Sequence, residues 1–182
     1  MERNKVVLVD QYDQQLGEMD KLLAHQRGEL HRAFSVFIFN SQGKMLIHQR
    51  ASHKYHGGGL WTNACCSHPQ MGEELKSAAQ ERLQFEMGLV CGLQHVHEFV
   101  YHAEVENNLI EHEYDHVFFG STNQLPNPNP DEVSAFKWIS VDDLLREVAE
   151  KPQEFTYWFK SVLEDLLMKI KDLTISLENT SQ

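Results

Sequence analysis

Two long segments of strand-like composition, residues 89–106 and 109–120, are separated only by Asn107 and Asn108. Asparagine tolerates the backbone angles of tight turns, so the pattern predicts two strands joined by a turn. Because side chains alternate across a strand, Glu111 and Glu113 fall on one face of the second strand, and Asp115 continues that face. Neighbouring carboxylates repel each other when they are buried together, so this face requires either solvent or a cation.

The clearest predicted helix covers residues 73–87. Its apolar residues recur at spacings of three and four, and Gly88 follows where such a helix should end. These apolar residues are Leu75, Ala78, Ala79, Leu83 and Met87. Glu86 falls on the apolar side of the helix, with Arg82 one turn before it. A buried carboxylate is costly unless it is paired, so Glu86 either pairs with Arg82 at a solvent edge or binds a cation.

The remaining segments contain no internal repeat and no linker. Strands are predicted at 6–10, 34–39, 45–50 and 135–139, and the second and third form a hairpin around the turn 40–43. Helices are predicted at 140–151, with a capping pattern at Ser140, and at 154–173. We expect a turn at 12–17, an irregular segment at 19–27, loops at 51–59 and 124–131, and a frayed end at 174–182. Residues 1–182 are therefore expected to form a single domain.

Composition restricts the partners and the compartment. The 182 residues carry a formal net charge of −11, which argues against a general nucleic-acid-binding face. An anionic ligand would have to be held by local cations or by metal ions. No apolar run is long enough to span a membrane, and the first residues lack a signal-peptide pattern. Three cysteines, two of them adjacent, do not make a disulfide framework, so we expect a reduced, cytoplasmic protein.

Residues 61–69, WTNACCSHP, place Cys66 two residues before His68. A buried thiol is usually a small core residue, and adjacent cysteines in an extended chain point in opposite directions. Imidazoles and carboxylates together suit an octahedral divalent ion better than a closed zinc site, and Glu86 could bind a second, hard cation. The candidate ligands for the first ion are His25, His31, His68, Glu111 and Glu113.

Taken together, these residues resemble the type 1 isopentenyl-diphosphate isomerases, a branch of the Nudix superfamily. The resemblance extends over roughly residues 5–160. It rests on the segment 61–69, His25 with His31, Arg50 with Lys54, the segment ERLQFEMGL at 81–89, Tyr101, the segment EHE at 111–113, and Trp158. It implies an α/β fold in which a mixed β-sheet is sandwiched between α-helices.

The helix motif of the Nudix superfamily is only partly kept in this chain. Glu81-Arg82 stands where the pattern has Arg-Glu, and Phe85-Glu86 stands where it has Glu-Glu. A hydrolase of this superfamily uses several helix carboxylates to hold Mg²⁺ against a diphosphate that water attacks. The loss of that acidic cluster implies a diphosphate that is bound and left intact.

The resemblance also implies a reversible 1,3-proton shift that converts isopentenyl diphosphate to dimethylallyl diphosphate through a tertiary carbocation. Such a reaction needs an acid and a base, a site without water, and an electron-rich surface beside the cation. In this chain Cys66 and Glu113 would be the acid/base pair, Tyr101 would hydrogen-bond near Glu113, and Trp158 would lie against the cation. The sequence leaves open which of the pair protonates the substrate in the forward direction.

The same resemblance implies two kinds of binding residue. The diphosphate would be held by Lys21, Arg50, Lys54, Arg82 and Ser67. One divalent ion (Mn²⁺, Zn²⁺ or Mg²⁺) would bind at the His/Glu set given above, and a Mg²⁺ ion that bridges the diphosphate would bind at Glu86. The expected partner is the small-molecule diphosphate, with no nucleic acid and no membrane, and the sequence is compatible with a monomer or a homodimer.

Two alternatives remain at the level of sequence. A Nudix-type diphosphate hydrolase would share the fold, and Phe85 with the Glu81-Arg82 inversion argues against it. A metal-stabilised binding domain would use Cys66 and His68 only as zinc ligands.

Overall fold

The predicted strand pair is present in the computed structural model, which describes residues 3–54 and 56–180, with the backbone alone for 178–180. Leu93–Val105 pairs antiparallel with Leu109–Ser121. The connection Glu106–Asn108 holds Asn107 and Asn108 at φ angles of 63° and 55°. Asparagine accepts this left-handed conformation more readily than most residues, which is why so short a connection suffices.

Nine strands form one sheet within the described residues. The strands, β1 to β9 in chain order, are Lys5–Val9, Gln15–Asp20, His31–Phe39, Met45–Arg50, Trp61–Thr62, Cys65–Ser67, Leu93–Val105, Leu109–Ser121 and Val133–Ile139. The helices, α1 to α4, are Lys21–Arg27, Leu75–Met87, Val141–Glu150 and Tyr157–Thr180. β3 and β8 run parallel, whereas the other strand pairs are antiparallel, so the sheet is mixed.

Helices cover both faces of this sheet. On one face, Phe37 of β3 and Val117 of β8 pack in a cluster with residues of α3 and α4. On the other face, Val36 and Phe118 pack in a cluster with residues of α2. Neighbouring residues of one strand enter different layers because side chains alternate along it. The predicted arrangement of a mixed sheet between helices is therefore confirmed.

The segment 19–27 was expected to be irregular, and this prediction was wrong. It contains the end of β2 and the whole of α1. The Asp20 side chain accepts a hydrogen bond from the Leu23 backbone N–H at 3.0 Å, and Gly28 ends the helix at a φ of 66°. Both are ordinary helix-end signals, but seven residues are too few for a clear apolar period. The turn expected at 12–17 was also only partly right, since β2 begins at Gln15.

The other predicted elements are present with shifted ends. β1, β3, β4 and β9 overlap the four predicted strands, and β3 and β4 pair antiparallel around the turn 40–43. Helix α2 ends at Met87, and Ser140 caps α3 by accepting a hydrogen bond from Asp143 N–H at 3.2 Å. Helix α4 begins at Tyr157 and continues to Thr180, so most of the segment expected to fray is helical. Residues 181 and 182 lie outside the described residues.

Residues 51–59, apart from Tyr55, and residues 124–131 form the predicted loops. None of the helices in the described part of the chain has the length and apolar character needed to cross a membrane.

Candidate active site

The pairings of β3 bring a histidine, a carboxylate and a thiol to one face of the sheet. His31 is the partner of Glu113 in the parallel pairing with β8. Ser35, on the same face of β3, is the partner of Cys66 in the antiparallel pairing with β6. Strand β6 has only three residues, so it is this pairing that fixes the direction of the Cys66 side chain.

Four side chains from four segments form a cluster that fits a divalent metal ion. His25 of α1, His31 of β3, His68 after β6 and Glu113 of β8 offer ligand atoms that all lie within 4.8 Å of one another. His68 Nε2 is 2.9 Å from Glu113 Oε1, and His31 Nε2 is 3.5 Å from the same oxygen. The solvent-facing alternative for Glu113 is wrong, because the residue is only 7% exposed.

The tautomers of two of these histidines support metal binding. His25 Nδ1 and His31 Nδ1 lie 2.7 and 2.8 Å from the backbone oxygens of Lys21 and Glu29. A carbonyl oxygen can only accept, so both Nδ1 atoms must carry hydrogen, and in the neutral form of each ring Nε2 then has a lone pair for a metal ion. Within the described residues, the buried His31 Nε2 atom makes no hydrogen bond. A buried imidazole oriented by its other nitrogen is the usual arrangement of a metal ligand.

Glu111 lies in an adjoining group rather than in the four-residue cluster. It shares His25 with that cluster and forms a second group with His56, a residue of the loop 51–59. His56 Nε2 is 2.6 Å from Glu111 Oε1, and both side chains are buried. Burial, followed by the charge of Arg50, lowers the pKa of His56 to about 4. Sequence reasoning missed His56, because a glycine-rich loop carries no periodic signal that a side chain within it is buried.

Tyr101 connects the two carboxylates. Its Oη atom is 2.6 Å from Glu113 Oε2 and 3.2 Å from Glu111 Oε2. Burial, and then the charge of Glu113, raises the pKa of Glu111 well above its ordinary value. Burial also acts on Glu113, but the neighbouring imidazoles of His31 and His68 outweigh it and hold the pKa of Glu113 well below its usual range. A protonated Glu111 can donate to Tyr101, which gives its single hydroxyl hydrogen to Glu113.

Cys66 has a well-defined hydrogen-bonding environment. Its S–H donates to Asn63 Oδ1 at 2.9 Å, and its sulfur accepts the indole N–H of Trp158 at 3.1 Å. Burial, followed by the charge of Asp115, raises the pKa of Cys66 to about 12, so the group stays a thiol at neutral pH. Cys65 is fully buried in the opposite layer with α2, which confirms that the adjacent cysteines point in opposite directions.

Four cationic side chains line the same cavity, of about 310 Å³, as Cys66 and Glu113. They are the predicted diphosphate-binding residues Lys21, Arg50, Lys54 and Arg82. Arg82 Nη2 lies 2.7 Å from Glu86 Oε1, so the predicted pair exists, but Glu86 is buried at the cavity and Arg82 is only partly exposed. Burial, and then the charges of Lys54 and Arg82, lowers the pKa of Lys21. Crowded positive charges of this kind favour the binding of an anion.

Comparison with known proteins gives the family. Residues 29–159 match the family model described as NUDIX domain. Isopentenyl-diphosphate Delta-isomerase 2 of Photorhabdus laumondii is 48% identical over 161 residues, which cover 88% of this chain and 91% of the relative. Isopentenyl-diphosphate Delta-isomerase of Pectobacterium atrosepticum is 49% identical over 160 residues, which cover 88% and 89%. The chain belongs to the isopentenyl-diphosphate Delta-isomerase family. It is thus a member of a family of isomerases built on a Nudix domain.

Solved structures support the fold of this isomerase-family chain. The crystal structure of DR0079 from Deinococcus radiodurans has a TM-score of 0.66 at 19% identity, and the match covers 80% of this chain and 89% of that one. A MutT protein from Methanosarcina mazei Go1 has a TM-score of 0.64 at 15% identity, with 77% and 94% covered. At such low identity the likeness concerns the fold alone.

Most residues that the isomerase resemblance implied lie around one cavity. Cys66, Ser67, His68, Glu86, Tyr101, Glu111, Glu113 and Trp158 line it together with the four cations. His25 and His31 do not line it, and they join it through the cluster with His68 and Glu113. Among the described residues, the groups that could hold a metal ion include His68 but not Cys66, which argues against a zinc ion shared by these two.

Two further residues of the isomerase-family site were not predicted. Asn63 receives the Cys66 thiol hydrogen, and its amide donates to Val36 O and Cys65 O at 3.1 and 2.8 Å. Asn63 lies within the segment 61–69 that contains Cys66, so its role could have been predicted from its position in that motif. Glu132 pairs with Lys54 and Arg82 from a distant loop, and no local pattern could have indicated this.

Proposed function

We propose that the protein is an isopentenyl-diphosphate Delta-isomerase, which converts isopentenyl diphosphate to dimethylallyl diphosphate by a reversible 1,3-proton shift. The observation that carries the proposal is the pair formed by Cys66 and Glu113, a thiol and a carboxylate that enter one cavity from different strands. The names of the curated relatives given above support the same reaction. Because two protons move at carbons two bonds apart, the reaction needs two separate groups that can each give or accept one.

The protonation states of the pair suit this chemistry. The pKa directions put a proton on the Cys66 thiol and leave Glu113 ionised. In a full turnover one group adds a proton to the alkene, a tertiary carbocation forms, and the other group removes a proton from the carbon two positions away. Tyr101 acts on Glu113 by donating the hydrogen bond of 2.6 Å to Glu113 Oε2 and so holds the second oxygen of that carboxylate.

The metal-binding cluster acts through Glu113. A divalent ion (Mn²⁺, Zn²⁺ or Mg²⁺) held by His25, His31, His68, Glu113 and the adjoining Glu111 would supply a fixed positive charge beside the acid/base carboxylate. The residues fit such an ion because the Nδ1 atoms of His25 and His31 are bound to backbone carbonyls, which leaves Nε2 for the metal, and because ligand atoms of His25, His31, His68 and Glu113 lie within 4.8 Å of one another. His68 also joins the ligand set to β6, which positions Cys66 two residues earlier.

The diphosphate binds at the cationic side of the cavity. Lys21, Arg50, Lys54 and Arg82 supply positive charge, and Ser67 adds a hydroxyl group. Within the described part of the chain, Arg50 Nε is buried without a hydrogen bond, which leaves a donor for the substrate. Glu86 would hold a Mg²⁺ ion, which would supply further positive charge to the diphosphate. These contacts position the allylic unit between Cys66 and Glu113 while the diphosphate stays intact.

Two features favour isomerisation over diphosphate hydrolysis. Phe85 lines the cavity at a helix position where the superfamily pattern has a carboxylate, and Glu86 is the one acidic residue among the described α2 residues that line it. Trp158 supplies an aromatic surface beside Cys66 that can stabilise a carbocation. A hydrolase would instead need several carboxylates to assemble metal ions against the diphosphate.

Proton exchange in D₂O tests the function. Isopentenyl diphosphate incubated with the protein and a divalent metal should yield dimethylallyl diphosphate that carries deuterium, as followed by NMR. Release of inorganic phosphate without any allylic product would contradict the proposal and favour the hydrolase. No deuterium uptake with Mg²⁺, Mn²⁺ or Zn²⁺ would also overturn it.

A further inference from the structure

A second cluster of metal-binding side chains lies outside the cavity, on strands β7 and β8. His116 Nδ1 is 3.2 Å from His95 Nε2 and 3.6 Å from Glu98 Oε2. The third side of this triangle, from His95 Nε2 to Glu98 Oε2, measures 3.8 Å. Thus one ligand atom of each side chain lies within 3.8 Å of the other two. His116 is buried, whereas His95 and Glu98 are exposed, so solvent reaches the cluster.

A β-bulge creates this arrangement. His95 and Glu98 are three residues apart, which in a regular strand would put their side chains on opposite faces. The pairing of β7 with β8 shifts between His95 and His97, so that His95 lies opposite Phe118 and Glu98 lies opposite His116. Phe118 and His116 are two residues apart on one face of β8, and the bulge therefore places His95, Glu98 and His116 on the same face.

Residues behind the cluster fix the orientation of its ligands. His116 Nε2 is 3.1 Å from Asp13 Oδ2, and Arg32 Nε donates to the other oxygen of Asp13 at 2.7 Å. A carboxylate paired with arginine accepts hydrogen bonds, so His116 carries its hydrogen on Nε2 and, as a neutral ring, keeps a lone pair on Nδ1, the atom that lies beside His95 and Glu98. Tyr114 donates to Glu98 Oε1 at 3.2 Å, which leaves Oε2 available to a metal ion. Asp13 is thus a carboxylate that orients a ligating histidine, and such carboxylates are typical of zinc sites.

The triangle, with sides of 3.2 to 3.8 Å, is within about 0.2 Å of the dimensions of a zinc site. Zinc binds nitrogen and oxygen at about 2.0–2.2 Å in a tetrahedron, whose ligand atoms are then roughly 3.3–3.6 Å apart. We propose that His95 Nε2, His116 Nδ1 and a Glu98 carboxylate oxygen form a binding site for a divalent transition-metal ion such as Zn²⁺, with water as the fourth ligand. The ion clamps the edge strand β7 to β8, and through Asp13 it holds the turn between β1 and β2.

Metal counting with matched variants tests the site. Protein stripped of metal and titrated with Zn²⁺ should bind one more ion per chain, by native mass spectrometry, than His95→Ala or Glu98→Gln, which change exposed residues. His97→Ala is the control, since it lies on the same strand outside the cluster, and it should bind as many ions as the unchanged protein. Equal ion counts in all four proteins would overturn the proposal. The number of bound ions does not depend on isomerase activity, so this experiment tests the second metal site independently of the proposed function.

Imidazole NMR and one positioning variant sharpen the test. On addition of Zn²⁺, the ¹⁵N signal of His116 Nδ1 should shift while Nε2 keeps its hydrogen toward Asp13. Asp13→Asn should weaken Zn²⁺ binding at this site about 10- to 100-fold, as loss of an orienting carboxylate does elsewhere. Zinc bound through His116 Nε2, or an unchanged affinity in Asp13→Asn, would contradict the assigned geometry.

Discussion

Cys65 and Cys66 are neighbours in sequence but lie on opposite faces of the sheet, which allows chemistry and packing to be separated by two matched variants. Cys66→Ala should lower turnover at least about 100-fold, since it removes a group that exchanges a proton with the substrate. Its metal content should not change, because Cys66 is outside the metal-binding groups of the described residues. Cys65→Ala should keep most turnover and lose about 1 kcal/mol of stability from the core. Substantial isomerisation by Cys66→Ala would contradict the proposed role of Cys66 in the acid/base pair.

The raised pKa of Cys66 predicts a slow reaction with iodoacetamide, which attacks thiolates. With a pKa of about 12, only about one in 10⁴ of these thiols is ionised at pH 8, and the fraction rises about tenfold per pH unit. Burial raises the pKa of Cys91 as well, but the Cys91 thiol is less enclosed by protein than that of Cys66, so Cys91 should be modified first, as measured by peptide mass spectrometry. The folded thiol keeps its proton above the ordinary value of 9.0, where the unfolded thiol loses it, so stability should fall as pH rises from there toward 12. Equal modification rates at pH 8 would contradict this environment.

Glu86 and Glu81 lie on the same helix, but only Glu86 is buried at the cavity. Glu86→Gln should raise the Mg²⁺ concentration for half-maximal activity about tenfold or more, because it removes the charged ligand proposed for the bridging ion. Glu81→Gln is the control, since the Glu81 side chain is 70% exposed, and it should leave the Mg²⁺ dependence as it is. Identical Mg²⁺ titrations for the two variants would remove Glu86 from the site.

At the scale of elements, the end of α2 is hydrogen-bonded to the loop that precedes Glu132, since Asn127 N–H donates to the Met87 carbonyl at 2.9 Å. Gly88 has a φ of 66°, and a Cβ atom there would lie 2.6 Å from the backbone oxygen of Asn127. Gly72 has a φ of 81° but open space around its Cβ position. Gly72→Ala should therefore cost about 1–2 kcal/mol for backbone strain alone, and Gly88→Ala should cost clearly more. Urea denaturation of both variants measures the difference, and equal losses would show that the Asn127 contact is unimportant.

The elements that sequence reasoning predicted well are those with a long period or a strong end signal. β7, β8 and α2 have 13 residues each, enough for alternation or a helical stripe to be visible. β5 and β6 have two and three residues, and only their pairing with β4 and β3 makes them strands. Helix α1 was missed although Asp20 and Gly28 mark its ends. Local sequence thus predicts the long strands of the sheet, while tertiary pairing determines the short strands β5 and β6, the second of which contains Cys66.

At the scale of the whole molecule, the His/Glu cluster joins α1, β3, β8 and the segment after β6. A metal ion bound there should stabilise the fold, by about 2.7 kcal/mol at a free concentration 100 times its dissociation constant. Removal with a chelator should lower the melting temperature by several degrees, and Mn²⁺ or Zn²⁺ should restore it. The shift should shrink in His31→Ala and persist in the control His53→Ala, whose histidine is exposed. A melting temperature that does not respond to metal in the unchanged protein would contradict this role.

Much of the candidate site was predictable because the resemblance names residues at matching positions, and the fold then brings them to one cavity. The structure added what depends on distant contacts. His56 reaches Glu111 from a glycine loop, and Glu132 meets Lys54 and Arg82 across the chain. The second histidine cluster depends on a bulge in β7. The bulge shifts the strand pairing, and no residue pattern in the sequence predicted its position.

Strand β8 carries two different chemistries in alternate positions. Glu111, Glu113 and Asp115 face the layer of the cavity, while Tyr114 and His116 face the other layer with the second cluster. If one residue were inserted early in this strand, every later side chain of the strand would turn to the opposite face. The three carboxylates would leave the layer of the cavity, and Tyr114 and His116 would enter it. Insertions and deletions should therefore be tolerated in the loop 124–131 and nearly absent from 109–121, even where single substitutions are accepted.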